Sequence, residues 1–383
     1  MSYKPSEKKI GFLGAGQLGK MLAQEASKLD LELHFLDKSK DYPAGKVSRF
    51  VTEGDFKDFD DVIHFGKTVD VLSIEIEQVN VDALSQLEKD GIKVLPQPEI
   101  IKLIQDKGMQ KQFLLSHGFP TAPFTLFESP DSIVSMVHTG MIKFPFVQKL
   151  RQGGYDGKGV EIIRSFEDMH KLMEGPCLVE QMANIDKEIS IITVRSEQGE
   201  IKTYPAVEML FHPTANLVEF LLCPAEISEQ DLVLANRLAL EITQQLEIVG
   251  LLAIELFVNK DGGVWINEMA PRPHNSGHHT LDNGATSQFE NHLRAILNLP
   301  LGHTDTDQWS IMVNLLGSEN FSGSAVYEGI EECLKIPGVH IHLYGKEETR
   351  PHRKMGHVTI TDKDLASCRE KANFVQQTLK VKA

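Results

Sequence analysis

The sequence predicts a chain of mixed α/β and α+β class: an open, Rossmann-like parallel sheet at the N-terminus, a larger mixed body, and a short β-rich C-terminal portion. Three observations predict it. Residues 9 to about 96 alternate short apolar runs with amphipathic stretches, the pattern of βαβ units. From about residue 120 the pattern changes to short strands interrupted by glycines, and residues 251–272 read as a tight hairpin carrying acidic side chains.

Taken in order, strands are expected over 9–13, 31–36, 69–74 and 92–95, with helices over 17–29, 59–65 and 81–87 between them. Pro96 and Pro98 punctuate the end of this unit. A helix follows over 107–116, capped by Asp106 and stopped at Gly118 and Pro120. Strands over 144–149, 160–163 and 177–181 belong to a smaller unit at about 120–182. Residues 188–224 read as antiparallel strands, and an amphipathic helix over 228–246 leads into the hairpin. A second helix lies near 287–297, and the stretch from about Trp309 is strand-rich with a closing helix. These shifts divide the chain at 1–106, 107–308 and 309–383.

At 383 residues the chain is long enough for two or three domains. Its formal charge of −15 leaves no basic footprint for nucleic acid. The N-terminal residues lack a signal-peptide core, and the longest greasy stretch, around 248–258, is too short for a membrane span and contains Glu255. A soluble, cytoplasmic protein is expected. Cys177, Cys223, Cys333 and Cys368 are far apart and without a Cys-x-x-Cys pair, so they read as reduced and structural.

Within the hairpin, a turn at 260–263 pairs Asn259 with Val264 and so sets Glu255 opposite Glu268 on one face. At ~4 Å and an effective dielectric of about 20, two carboxylates repel by roughly 4 kcal/mol, which calls for a cation between them. Magnesium with nucleotide phosphates fits, being a hard ion that takes one or two carboxylates, water and phosphate oxygens. Two glycine-rich segments offer phosphate devices. Gly14-Ala-Gly-Gln-Leu-Gly19 follows a strand and opens a helix, with Asp37 ending the next strand, which taken alone is a dinucleotide fingerprint. Lys149 ends a strand before Gly153, Gly154, Tyr155, Asp156, Gly157, Lys158 and Gly159, a loop able to close over phosphate oxygens; it lacks the Gly-Lys-Ser/Thr of a P-loop.

Together these pieces resemble the ATP-grasp superfamily, and within it the 5-(carboxyamino)imidazole ribonucleotide synthases of bacterial and fungal purine biosynthesis. The resemblance runs over nearly the whole chain. It rests on Gly14–Gly19, Glu75-Ile-Glu77, Gly153–Gly159, Asn267-Glu-Met-Ala-Pro-Arg-Pro-His-Asn-Ser-Gly-His278 and Arg350-Pro-His-Arg-Lys-Met-Gly-His357. It implies an ATP-grasp fold with a pre-ATP-grasp domain, a small lid and a C-terminal β-rich domain. The implied reaction is ATP-dependent carboxylation of 5-aminoimidazole ribonucleotide by bicarbonate, by way of carboxyphosphate, in a homodimer.

Carried over by position, the resemblance places Lys107 and Lys149 on ATP phosphates under the lid 153–159. Glu180, Gln181, Met182 and Ala183 stand where adenine is read, and Glu188 where the ribose is held. Glu255 and Glu268 would hold magnesium, assisted by Asn267. Tyr155, Arg272, His274, Asn275 and Ser276 would line the meeting place of bicarbonate and aminoimidazole, with Arg272 stabilising carboxyphosphate through its bidentate fork. Lys346 and Arg353 would bind the ribotide phosphate, and Glu75 would contact the substrate. Ala270 stands where many relatives have an asparagine, Lys107 where an arginine is common, and His212 is a further candidate near the nucleotide. Of Glu75 and Glu77, one is expected to be ordinary surface. His274, His278 and His279 lack the frame of a zinc site and read as pocket residues. The alternatives are another ATP-grasp acceptor, as in a formate-using glycinamide ribonucleotide transformylase or a biotin carboxylase, a nicotinamide-dependent oxidoreductase using Gly14–Gly19 and Asp37, or a non-catalytic nucleotide sensor.

Overall fold

A computed structural model describes residues 8–154, 158–211, 218–284 and 286–383. At the N-terminus, five parallel strands lie in the order Val51–Glu53, Leu33–Asp37, Ile10–Leu13, Val71–Ile74, Lys93–Val94. Helices Gln17–Ser27, Phe59–Gly66 and Val81–Lys89 connect them, close to where hydrophobic periodicity put them. The edge strand Val51–Glu53 escaped that reading because it is short and its residues are half-buried or exposed, so no apolar run marks it. Pro98 does more than punctuate. It sits in the first turn of a helix, Pro98–Gln105, where its missing N–H is harmless. The next helix, Lys107–Ser116, begins as expected, with the Asp106 carboxylate accepting from the amides of Gly108 and Met109.

The small unit is a four-stranded antiparallel sheet in the order Phe124–Phe127, Cys177–Gln181, Phe146–Leu150, Val160–Ile163. Helix Pro130–His138 covers it through Ile133 and Val137, which pack with Phe127, Phe146 and Ile163. Its first strand and this helix were not read from the sequence, although Ile133 and Val137 stand one helical turn apart.

The body is one long sheet in the order Val264–Ala270, Gly250–Asn259, Ile185–Arg195, Val207–Phe211, Val218–Cys223, Trp309–Leu316, Lys354–Asp362, Val339–Leu343, with Ile201–Thr203 added beside Ile185–Arg195. Strand Trp309–Leu316 pairs directly with Val218–Cys223, so the sheet runs without a break past residue 308. Helix Glu229–Leu246, capped by Ser228, packs its Leu238, Ile242 and Leu246 against Ile189, Ile191 and Leu252. Helix Gln288–Ile296 instead inserts Phe289, Leu293 and Ile296 between this sheet and the N-terminal one. That shared core fixes the N-terminal domain against the body, and the candidate site lies along the seam.

The acidic hairpin pairs Glu255 with Glu268 as predicted, but by another route. Near the turn Val258, not Asn259, faces Val264, and Leu256 faces Ile266. A one-residue irregularity between Leu256 and Glu255 leaves Asn267 as the extra residue and restores the predicted register beyond it. Asn259 closes the turn instead, its amide donating to the carbonyl of Gly263.

Candidate active site

A cavity of about 730 Å³ opens along the seam, lined from the N-terminal domain by Gly16, Glu75 and Glu77, from the hairpin by Glu255 and Glu268, and from the loop after it by Arg272, His274 and Asn275. Lys107, Gly154, Lys158, His278 and Lys354 also line it.

Glu255 and Glu268 face each other with three positive or hydrogen-bonding neighbours. The Lys107 ammonium lies 2.5 Å from Glu268, and His274 Nε2 lies 3.5 Å from Glu255. The bulged Asn267 accepts from Lys149 Nζ at 2.8 Å. Burial raises the Glu255 carboxyl above its ordinary range, and the charges of Glu268 and Glu188 push it further. Two opposed hard oxygen donors beside lysines suit a divalent cation that completes its shell with phosphate and water. Among the described residues there is no cluster of three or more His, Cys, Asp or Glu side chains placed to hold a metal ion. The electrostatic strain has a measurable sign. A carboxyl whose folded pKa is raised contributes fully below its unfolded pKa and loses that contribution as pH rises through the folded one. Without nucleotide and metal, Glu255→Gln is therefore expected to be more stable than the parent by about 1–2 kcal/mol at pH 8 and indistinguishable from it near pH 4, as read by urea melts.

Lys149, one residue before the end of strand Phe146–Leu150, is buried at 2.8 Å from Glu180 Oε2, and Lys111 reaches Glu180 Oε1 at 2.6 Å. Burial works against ionisation of Glu180, but Lys149 and Lys111 outweigh it and hold the carboxyl below its ordinary value. Lys111 was not singled out from the sequence: a lysine four residues after another on a helix normally marks a solvated face. Gln181 is exposed, with its amide donating to the Pro123 carbonyl, and Met182 and Ala183 follow half-buried. Glu188 stands on strand Ile185–Arg195 opposite Phe257, its carboxyl raised to about 7 by burial against the attraction of Lys149.

Arg272 forms an ion pair with Glu77, and its Nη1 donates to the Pro273 carbonyl at 3.1 Å. Burial opposes the charge on Glu77, yet Arg272 holds that carboxyl down at about 2. Glu75 is buried too, its oxygens accepting from the amides of Gly16 and Gly19, with burial raising it to about 7. The expectation that one of these two glutamates is ordinary surface is therefore wrong: both follow the end of strand Val71–Ile74, where Glu75 bonds into the first glycine loop and Glu77 pairs across the seam with Arg272. The same contacts answer the dinucleotide fingerprint. Gly16 and Gly19 give their amides to Glu75 and Ala15 gives its amide to Asp37 Oδ2 at 2.7 Å, so the protein's own carboxylates occupy the helix N-terminus that a pyrophosphate would need.

His274 Nδ1 lies 2.9 Å from the Ser276 hydroxyl, which meets Ser190 at 2.8 Å, and Gln288 accepts from the His274 amide, fixing this loop from below. His278 and His279 are buried, and burial lowers both pKa values, that of His279 to about 4. Lys346 donates to the Lys354 carbonyl at 2.7 Å and Arg353 to the Glu348 carbonyl at 2.6 Å. Of the basic run 350–354, the cavity is lined by Lys354 and not by Arg353, and Lys346 stands outside the lining as well. The two differ in place: Lys354 opens strand Lys354–Asp362, and Arg353 precedes it. Tyr155, Asp156, Gly157 and His212 lie outside the described residues.

The ATP-grasp domain family matches residues 112–289, the ribonucleotide synthetase preATP-grasp domain residues 7–105, and the phosphoribosylaminoimidazole carboxylase C-terminal domain residues 310–371. The N5-carboxyaminoimidazole ribonucleotide synthase of Bacillus subtilis is 36% identical over 356 residues, which is 92% of this chain and 90% of that protein. Among solved structures, the N5-carboxyaminoimidazole ribonucleotide synthetase of Thermotoga maritima is 40% identical with a TM-score of 0.90, covering 98% of this chain and 99% of its own. The Aspergillus clavatus synthase, in complex with ADP and 5-aminoimidazole ribonucleotide, is 30% identical with a TM-score of 0.87, covering 97% and 98%.

Proposed function

We infer the division of labour in this cavity from the fact that the chain belongs to the N5-carboxyaminoimidazole ribonucleotide synthase family of ATP-grasp ligases. It catalyses the ATP-dependent carboxylation of 5-aminoimidazole ribonucleotide in purine biosynthesis. The observation that carries the assignment of parts is the cavity along the seam, whose wall is shared by opposed carboxylates, Lys107, Arg272, His278 and Lys354.

In this reading Lys107 and Lys149 hold the ATP phosphates, and the loop of Gly153, Gly154, Lys158 and Gly159 covers them. The segment from Glu180 to Ala183 borders adenine and Glu188 accepts the ribose hydroxyls. Glu255 and Glu268, with Asn267 beside them, would hold a magnesium ion, which when bound would supply neutralisation of phosphate charge. Bicarbonate oxygen attacks the γ-phosphorus, ADP leaves, and carboxyphosphate forms against Arg272, whose planar fork matches its oxygens. Cleavage of its C–O bond gives carbon dioxide and phosphate, the ribotide amine bonds to the carbon, and the amine proton passes to the departing phosphate. Enclosing these steps in one cavity keeps carbon dioxide beside the amine rather than in solvent. His274, Asn275 and Ser276 orient the amine. Glu75 contacts the ribotide. Lys346 and Arg353 stand around its phosphate, while Lys354 reaches it from the cavity wall. No described helix is long and apolar enough to cross a membrane, and a cytoplasmic homodimer working without nucleic acid suits this chemistry.

The deciding measurement is ADP release by the purified protein with magnesium and ATP, with and without 5-aminoimidazole ribonucleotide, in bicarbonate-depleted and bicarbonate-supplemented buffer. Stimulation by the ribotide that requires bicarbonate, with the labile carbamate trapped, is the expected result. Turnover that needs a different acceptor keeps the fold and discards the substrate.

A further inference from the structure

An ion triad is buried beneath the phosphate end of the nucleotide slot, and nothing in the reaction as described uses one of its members. Lys111 is 4% exposed at its side chain, as is Glu180. Its ammonium lies 2.6 Å from one oxygen of Glu180 and 2.5 Å from the Thr121 hydroxyl, while Lys149 takes the other Glu180 oxygen at 2.8 Å and Asn267 at 2.8 Å. Lys111 also approaches the Ile266 carbonyl at 3.5 Å, so it touches the lid strand, the residue leading into the lid and the acidic hairpin together. Burying three charges is not a route to stability, because well-packed apolar groups of similar volume usually do as well or better. The arrangement makes sense as charge arithmetic. Two ammonium groups share one carboxylate, leaving one net positive charge; with Lys149 and Glu180 alone the pair would be neutral and would offer a polyphosphate nothing.

We propose that Lys111 is a positioning residue for nucleotide binding: by supplying the counter-charge of Glu180 it leaves the charge of Lys149 available to the phosphates. This rests on the reading that Lys149 contacts ATP phosphate. Lys111 itself lies behind Glu180 and touches no substrate.

The test is ADP affinity by calorimetry, with KM for ATP and kcat, for the wild type, Lys149→Met, Lys111→Met and the double variant Lys111→Met/Glu180→Gln. Lys111→Met is expected to weaken ADP binding at least about tenfold and to raise KM for ATP in step, while kcat at saturating ATP stays within about threefold. In the double variant Lys149 again carries an unneutralised charge, so ADP is expected to bind at least about threefold more tightly than to Lys111→Met and than to Lys149→Met. It also decides the matter if Lys111→Met alone fails to fold, since it removes the buried carboxylate whose second oxygen has lost its ammonium partner. A double variant as weak as Lys149→Met overturns the proposal, because Lys111 would then act through packing. Wild-type affinity in Lys111→Met beside a weakened Lys149→Met overturns the proposal alone. Wild-type affinity in Lys149→Met overturns the reading of Lys149 and the proposal with it.

Discussion

Replacing Glu268 by glutamine lowers kcat by at least about 1000-fold while leaving the melting temperature unchanged or higher, because phosphoryl transfer relies on positioning and charge neutralisation far more than on covalent help from the protein. The glutamine keeps the shape of the hairpin and removes one of the two opposed charges that make the site attractive to a divalent cation. It also frees Lys107, which now lies 2.5 Å from that carboxylate. ADP affinity in the absence of metal should therefore hold or improve even as turnover disappears. Wild-type ADP formation in the variant would remove this pair from the metal site.

Arg272→Met is the second large effect, and it has two separable parts. Glu77 is left as a partly buried carboxylate without its partner, and breaking a buried pair from one side costs about 3 kcal/mol. Its pKa should climb from about 2 toward and past the ordinary carboxylate value, so the loss of stability grows as pH rises from about 2 to that new value and stays constant above it. The chemical part is the loss of the group facing carboxyphosphate, on the order of 100- to 1000-fold in kcat. Arg272→Met/Glu77→Gln separates them. Urea melts of the double variant should recover most of the lost stability while ribotide-dependent ADP release stays low. Recovery of activity would show that Arg272 serves only to satisfy Glu77.

How much of this was legible in the sequence follows from the kind of signal each feature leaves. Helix Lys107–Ser116 and its Asp106 cap, and helix Glu229–Leu246 with Ser228, were readable because capping and 3.6-residue periodicity are local. The facing of Glu255 and Glu268 was readable in outcome and not in route, since a bulge replaced the turn register assumed for it. Nothing in a single sequence announces that Glu77 crosses the seam to Arg272 or that Lys111 turns inward to Glu180, because these partners are far apart along the chain and meet only once the domains have packed. Lys354 was hidden by its neighbours: in a run of basic residues, which one faces inward depends on where the strand begins.

The unbroken sheet across residue 308 has a consequence for anyone who cuts the chain. Strand Trp309–Leu316 lies between Val218–Cys223 and Lys354–Asp362, so a scission at the sequence boundary uncovers a row of backbone donors and acceptors on each product. The two fragments would be adhesive toward each other and toward copies of themselves. Truncation at that point is therefore expected to yield aggregates where a removable module would yield a folded remainder, and the C-terminal portion is better treated as a sewn-in panel than as an appended domain.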